Sequence, residues 1–289
     1  MATQRAQNLD IATAARHAEQ VGLDGVWHGD HLSIGAPVLD CTIALAMAAA
    51  ATERIRIGTS VYVPALRPLA WAAKQIATLQ HVSGGRLLLG VGSGGGPAQW
   101  AAAGIPYAQR GTRTDTALRV LPALLAGERV AVPDMPEPID IELTPPVAVP
   151  PVLVGNHSAP ARRRAAELGD GWFPSLIPPA QVAAGLAEII DLAAQHQRPA
   201  PTVTVGATGV LGTGADLPTR AEIASRISQT YGKSIEETLP IPITGSPEQA
   251  AERIANYRDA GALQLVIGIA GGDWRRQCEL LAHLRSGLR

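Results

Sequence analysis

The chain has 289 residues, 46% of them hydrophobic and 3% aromatic, with 24 Lys and Arg against 25 Asp and Glu. That composition sustains a large buried core and excludes disorder, and a formal charge of -1 lacks the basic surplus of a protein that tracks nucleic-acid phosphates. The longest apolar run, Ile43 to Ala51, is nine residues, well short of the roughly 20 a membrane-spanning helix needs.

In chain order, Leu9, Ile11, Ala14, Ala15, Ala18 and Val21 form a helical stripe that stops at Gly22. Gly25 to His28 reads as a short strand, and Leu39 to Ala51 as an Ala-rich helix with Asp40 as its N-cap. The unit repeats with a strand over Ile55 to Val61, a helix over Pro68 to Leu79, a strand over Arg86 to Val91 and a helix over Thr112 to Leu125. Seven prolines between Val130 and Pro151 mark an excursion from the scaffold. Beyond it, strands over Val152 to Val154, Gly171 to Phe173, Thr202 to Leu211 and Leu263 to Ile269 alternate with helices. Those helices cover Ala159 to Leu168, Pro179 to Gln195, Pro218 to Tyr231, Pro247 to Ala260 and Trp274 to Leu284.

Seven strands alternating with helices predict a parallel sheet closed as a (β/α)8 TIM barrel, one domain over residues 1–289, with an insertion around 130–151. A barrel chain starts with a strand, yet only Met1 to Asn8 precede Leu9, and Thr3, Gln4, Arg5 and Gln7 are polar. The first strand is therefore expected to be short or missing. The same polar start shows no secretory h-region, and two distant cysteines, Cys41 and Cys278, fit buried thiols in a reducing cytoplasm.

In such a barrel the chemistry sits on loops after the strands. His28-Gly-Asp30-His31 offers imidazoles and a carboxylate that move protons or bind a metal near neutral pH; a local hydrogen-bonded fastening explains the same letters. Gly58-Thr-Ser60-Val61 allows a backbone bulge against a planar ligand. In Gly90-Val-Gly92-Ser93-Gly94-Gly95-Gly96, absent Cβ atoms let the backbone approach an anion or a flat ring. That run contains GxGxxG, but the acid at the required spacing, Asp115, falls in a helical pattern, against a dinucleotide site. Gly155-Asn156-His157-Ser158 opens a helix, where free N–H groups suit phosphate; simple capping by Asn156 or Ser158 suits it as well.

Ala18 to His31, Thr52 to Val61, Ser83 to Gly92, Gln109 to Asp115, Ala165 to Trp172 and Gly245-Ser-Pro247-Glu together resemble the bacterial-luciferase-like superfamily of flavin- and deazaflavin-dependent oxidoreductases. The resemblance covers roughly residues 9 to 285 and lies nearest the actinobacterial subgroup assigned to coenzyme F420. It implies a cis Ser60–Val61 peptide behind the tricyclic ring, Gly92, Ser93 and Gly94 on the ring and ribityl chain, and Gly155, Asn156 and His157 on the cofactor phosphate. It also implies Asp30 and His31 as a catalytic pair at the reacting edge. Where sugar-phosphate dehydrogenases of the superfamily carry a Glu, this chain has Gly95, so that activity is not implied. Trp27 and Tyr62 are the aromatic candidates for the substrate pocket.

The expected activity is hydride transfer between reduced F420 and a small organic substrate in the cytoplasm, by a homodimer served by a flavin or F420 reductase. The alternatives are an FMN-dependent monooxygenase, a metal-dependent barrel hydrolase built on His28, Asp30 and His31, and a non-catalytic flavin binder.

Overall fold

The computed structural model describes residues 10–33, 37–133 and 139–287. In chain order its elements are α1 (Ile11–Gln20), β1 (Gly25–His28), α2 (Cys41–Ala50), β2 (Arg56–Thr59), α3 (Leu69–Val82), β3 (Leu87–Val91), α4 (Pro97–Ala102) and α5 (Arg110–Leu125). There follow β4 (Val130–Val132), β5 (Ile139–Ile141), β6 (Val152–Gly155), α6 (Ala159–Leu168), β7 (Gly171–Phe173), α7 (Pro179–Gln195) and β8 (Thr202–Leu211). The chain closes with α8 (Arg220–Tyr231), α9 (Ile235–Thr238), β9 (Ile243–Gly245), α10 (Pro247–Asp259), β10 (Gln264–Ile269) and α11 (Trp274–Gly287).

The sheet runs β1-β2-β3-β6-β7-β8-β10, every pairing parallel, with β9 attached to the end of β8. This is the expected curled barrel wall of seven strands with helices outside. The sequence reading missed β9, which is three residues long and follows Pro240 and Pro242, too short for a period to register. It missed α4 and α9 for the same reason, at six and four residues. The Pro-rich excursion carries the antiparallel β4–β5 pair, apart from the barrel. The expected short or missing first strand falls on residues 1–9, outside the described residues; among those described, β1 and β10 end the sheet.

Each buried face follows from the pattern. Ile11, Ala14, Ala15 and Ala18 turn α1 onto the strands, and α2 buries Cys41, Ala44, Leu45, Ala48 and Ala49. Asp40 accepts from the Ile43 N–H as the predicted N-cap, and the Gly245-Ser-Pro247 signature is a capping box in which Ser246 and Gln249 satisfy each other's N–H groups.

At the lower rim, Arg86 spends its guanidinium on the carbonyls of Ala49, Thr52, Ile55 and Ser83 and on the Thr52 hydroxyl. Glu19 accepts the N–H groups of Glu53, Arg54 and Ile55. Two of the recognised segments are thus architectural, tying the helix ends to the bottom of β2.

Candidate active site at the barrel mouth

The carboxyl ends of β1, β2, β3, β6 and β7 converge on one mouth, as a parallel barrel requires. Its floor is Val61. The Ser60–Val61 peptide is cis, as the resemblance implies, and the surrounding backbone is stitched to both neighbours. Asp30 N–H donates to Val61 C=O, Ser60 N–H to His28 C=O, Tyr62 N–H to Gly90 C=O and Gly92 N–H to Tyr62 C=O.

Three glycines surround the half-buried Val61 side chain. A Cβ at Gly92 would lie 2.5 Å from a Val61 methyl, one at Gly155 2.9 Å and one at Gly90 3.1 Å. Side chains are therefore sterically barred from the ends of β3 and β6, and the mouth keeps a smooth apolar shelf. Gly95 and Gly96 border it with open space in front of them, Gly96 having nothing within 4 Å of a Cβ. Below the turn, Trp100 is fully buried with no partner for its indole N–H among the described residues, and a Cβ at Gly94 would approach that nitrogen to 3.0 Å. It is an unspent donor beneath the Gly92–Gly94 turn, which also contains Ser93.

On the β1 side, His28 is buried, its Nδ1 2.9 Å from Gly29 C=O, and its backbone carbonyl accepts from the Cys41 thiol. Burial pushes its pKa below the ordinary histidine value. The Asp30 carboxylate meets Arg67 at 2.6 and 2.7 Å and accepts the Val63 N–H at 3.0 Å. Arg67 also lies 4.6 Å from the Tyr62 ring centroid, and Tyr62 donates its hydroxyl to Gln75 at 2.6 Å. Asp30 and Tyr62 are thus packed under the mouth rather than presented to it. His31 is exposed at the rim, folded back so that a Cβ at Gly29 would touch its ring at 3.0 Å.

Trp27 points into the barrel, over Gly58 and edge-on to Phe173 at 5.4 Å between centroids. With Leu153 it fills the interior beneath the shelf. Sequence reasoning missed Phe173 as its partner, and also Arg67, whose position just after the β2 loop was the available clue.

Across the mouth, Asn156 has a left-handed φ of 83°, and its side chain accepts the N–H groups of His157 and Ser158. Trp172 fixes the turn by donating to Asn156 C=O at 2.8 Å. His157 is half-buried, and burial together with the charges of Lys233 and Arg162 lowers its pKa. Lys233 arrives from the α8–α9 connection, 3.1 Å from Leu176 C=O, with no signature in the sequence. Of the Arg run, Arg163 and Arg164 both hold Asp115, away from the mouth, whereas Arg162 pairs with Glu188 and also donates to His157 C=O. Asp115, the acid that a dinucleotide reading needed, is therefore part of the α5–α6 packing. Among the described residues no three His, Cys, Asp or Glu side chains gather as a metal site.

The sequence profile described as luciferase-like monooxygenase matches residues 3–232. The chain belongs to that family. Among curated relatives, an uncharacterized protein of Mycobacterium tuberculosis is 34% identical over 144 residues, 48% of this chain and 49% of its own length. This chain thus spans about half the length of the first curated relatives it matches. A 5,10-methylenetetrahydromethanopterin reductase of Methanolobus tindarius is 29% identical over 299 residues, 90% of each chain. Among solved structures, an F420-dependent secondary alcohol dehydrogenase with an F420-acetone adduct superposes with a TM-score of 0.84 at 18% identity, covering 99% of this chain and 96% of that one. The fold of this luciferase-like family member is thereby shared with that enzyme.

Proposed function

We propose that this family member is an oxidoreductase that binds coenzyme F420 at the barrel mouth and transfers hydride between it and a small organic substrate. The observation that carries the reading is the glycine-bounded Val61 shelf, a flat apolar surface suited to one face of a planar tricyclic ring. The residues present fit such a group: the shelf for the ring, the turn at Gly92, Ser93 and Gly94 with the buried Trp100 donor beneath it, and a corner where the charges of Lys233 and Arg162 lie beside a neutral His157 for a phosphate. When bound, the reduced deazaflavin supplies the hydride.

The chain's own residues then orient and protonate. Arg67 and Asp30 lock the β1 and β2 ends so that Val61 keeps its place. His31 stands on the rim where its ring nitrogens reach a substrate oxygen and give or take its proton. Gly155 and Asn156 shape the loop that carries His157. FMN-dependent monooxygenation is the second reading, supported by the family's monooxygenase members, among them a 4-hydroxyprotoasukamycin monooxygenase of Streptomyces nodosus, 32% identical over 198 residues.

Leu39, Ile43, Met47 and Trp71 form an exposed apolar stripe over α2 and α3, with Trp71 69% exposed, which supports a homodimer. No helix among the described residues is long and apolar enough to cross a membrane, and both cysteines are free and buried; a cytoplasmic location and a separate F420 or flavin reductase that supplies the reduced cofactor belong to the same proposal. Fluorescence titration with F420 and with FMN tests the assignment. Tighter F420 binding is expected, and equal or reversed affinities overturn it.

A further inference from the structure

One corner of the mouth is polar and open, and neither the Val61 shelf nor the His157 loop uses it. Gln99 on α4 is half-buried and donates from Nε2 to Asp30 C=O at 3.3 Å, while the Asp30 N–H donates to Val61 C=O. Gln99 is thereby tied to the backbone that borders the shelf, one residue before His31. A carbonyl only accepts, so the Gln99 amide is fixed with its NH2 on Asp30 and its oxygen turned away. That oxygen lies 4.0 Å from the Cβ position of Gly95 and is the one atom within 4 Å of it, and a Cβ on Gly96 would meet nothing. Gly95 and Gly96 are exposed, and neither has a left-handed φ. No turn geometry requires glycine there; what the missing side chains leave is room.

The charges around this room are committed elsewhere. Asp30 is clasped by Arg67. Arg110 lies 4.1 Å from the Tyr107 ring centroid and donates to Tyr107 C=O, with the Tyr107 ring edge-on to Trp100. Arg113 donates to the Ala65 carbonyl. Lys233 and Arg162 stand across the mouth beside His157. What faces the room is therefore a neutral amide oxygen, an acceptor with no fixed charge beside it.

We propose that this corner is the substrate-selecting pocket of the mouth, that Gln99 reads the substrate there, and that the substrate is an uncharged molecule carrying a hydroxyl or amide N–H next to its reacting group. The proposal rests on the mouth being the active site. Gly95 and Gly96 supply the space, Gln99 Oε1 accepts from the substrate's donor, and His31, next in the chain to Asp30, is left for the reacting oxygen. A carboxylate or phosphate ester here would set its charge against the Gln99 oxygen without a cation to meet it, which is the costly way to desolvate an ion. An uncharged analogue without the donor would leave the amide oxygen unpaired and lose that bond.

Three matched ketones test this. Hydroxyacetone, 2-butanone and pyruvate share a methyl ketone and differ in ending with a hydroxyl, a methyl or a carboxylate. Each is titrated by ligand-observed NMR into the parent, Gln99→Met and Gly96→Leu, first without cofactor and then with F420 at saturation. Hydroxyacetone is expected to bind about fivefold or more tighter than pyruvate, and Gln99→Met to weaken hydroxyacetone by about fivefold while leaving 2-butanone unchanged, the loss of one hydrogen bond. Gly96→Leu should weaken both by filling the room. Pyruvate binding as tightly as hydroxyacetone overturns the proposal, and so does binding of none of the three. Equal losses for hydroxyacetone and 2-butanone in Gln99→Met also overturn it, because Gln99 then merely fastens the end of β1. Should Gln99→Met fail to fold, Gly96→Leu, which breaks no bond, still decides: unchanged hydroxyacetone affinity there places the ligand elsewhere. If F420 does not bind, the cofactor-free titration still ranks the ketones, so failure of the cofactor assignment and failure of this pocket are seen separately.

Discussion

The Arg67 guanidinium clasps both oxygens of the Asp30 carboxylate, at 2.6 and 2.7 Å, and so joins the loop after β2 to the end of β1. Asp30 is buried and Arg67 about a quarter exposed, and such a pair is worth most as a fixture, because removing one partner strands the other charge. Asp30→Ala is expected to destabilise the fold by about 3 kcal/mol. The double variant Asp30→Ala with Arg67→Met should recover part of that loss. Urea denaturation of these two variants and of Arg67→Met alone gives the coupling, and additive losses would show that the pair does not act as a unit.

Room on the Val61 shelf sets a second expectation. Gly92→Ala places a Cβ 2.5 Å from a Val61 methyl, so the valine must move into the space above the floor. F420 affinity should fall at least tenfold, and Val61→Ala in the same chain should restore much of it by removing the colliding methyl groups. Fluorescence titration checks both; unchanged affinity in Gly92→Ala would mean that the ring does not rest there.

The barrel was legible because its strands are short apolar runs set between helices with ordinary caps, and Asp40 and Ser246 announce their helices in the letters themselves. The mouth was legible only as a set of loops. Letters alone show that Asp30 follows a strand, but its partner Arg67 is 37 residues away and the pairing is decided by how β1 and β2 align. Tyr62 sits next to the bulge, yet strand alternation turns its ring to α3, a facing hidden by the irregular backbone at Ser60–Val61. Lys233 reaches His157 from a connection 76 residues later, and no local pattern marks such an approach.

Burial depresses the pKa of His28 below its ordinary 6.5, and burial with neighbouring cations does the same to His157. The folded protein therefore holds these imidazoles neutral over a range where the unfolded chain already binds protons. The associated stability is complete above about pH 6.5 and is lost as pH falls through the lowered folded values. Melting points measured from pH 8 to pH 5 should hold steady and then decline below about 6.5. His28→Gln should weaken that decline, and a slope identical to the parent's would remove His28 as its source.

His31 and Lys233 divide the proposed site's work and should separate kinetically. His31 stands on the rim beside Gly29, and proton transfer by a positioned imidazole contributes about 10²- to 10⁴-fold to rate, so His31→Ala should lower kcat on that scale and leave F420 affinity nearly unchanged. Lys233 lies on the opposite side, among the charges that lower the His157 pKa, where the proposed cofactor phosphate would meet it as a point charge. Lys233→Ala should therefore weaken F420 binding about tenfold or more, with a flatter salt dependence, and spare kcat at saturation. Steady-state kinetics over a range of F420 concentrations, alongside direct titration, distinguishes the two. A His31 variant that loses affinity but not kcat is a binding residue, and a Lys233 variant indistinguishable from the parent places the phosphate elsewhere.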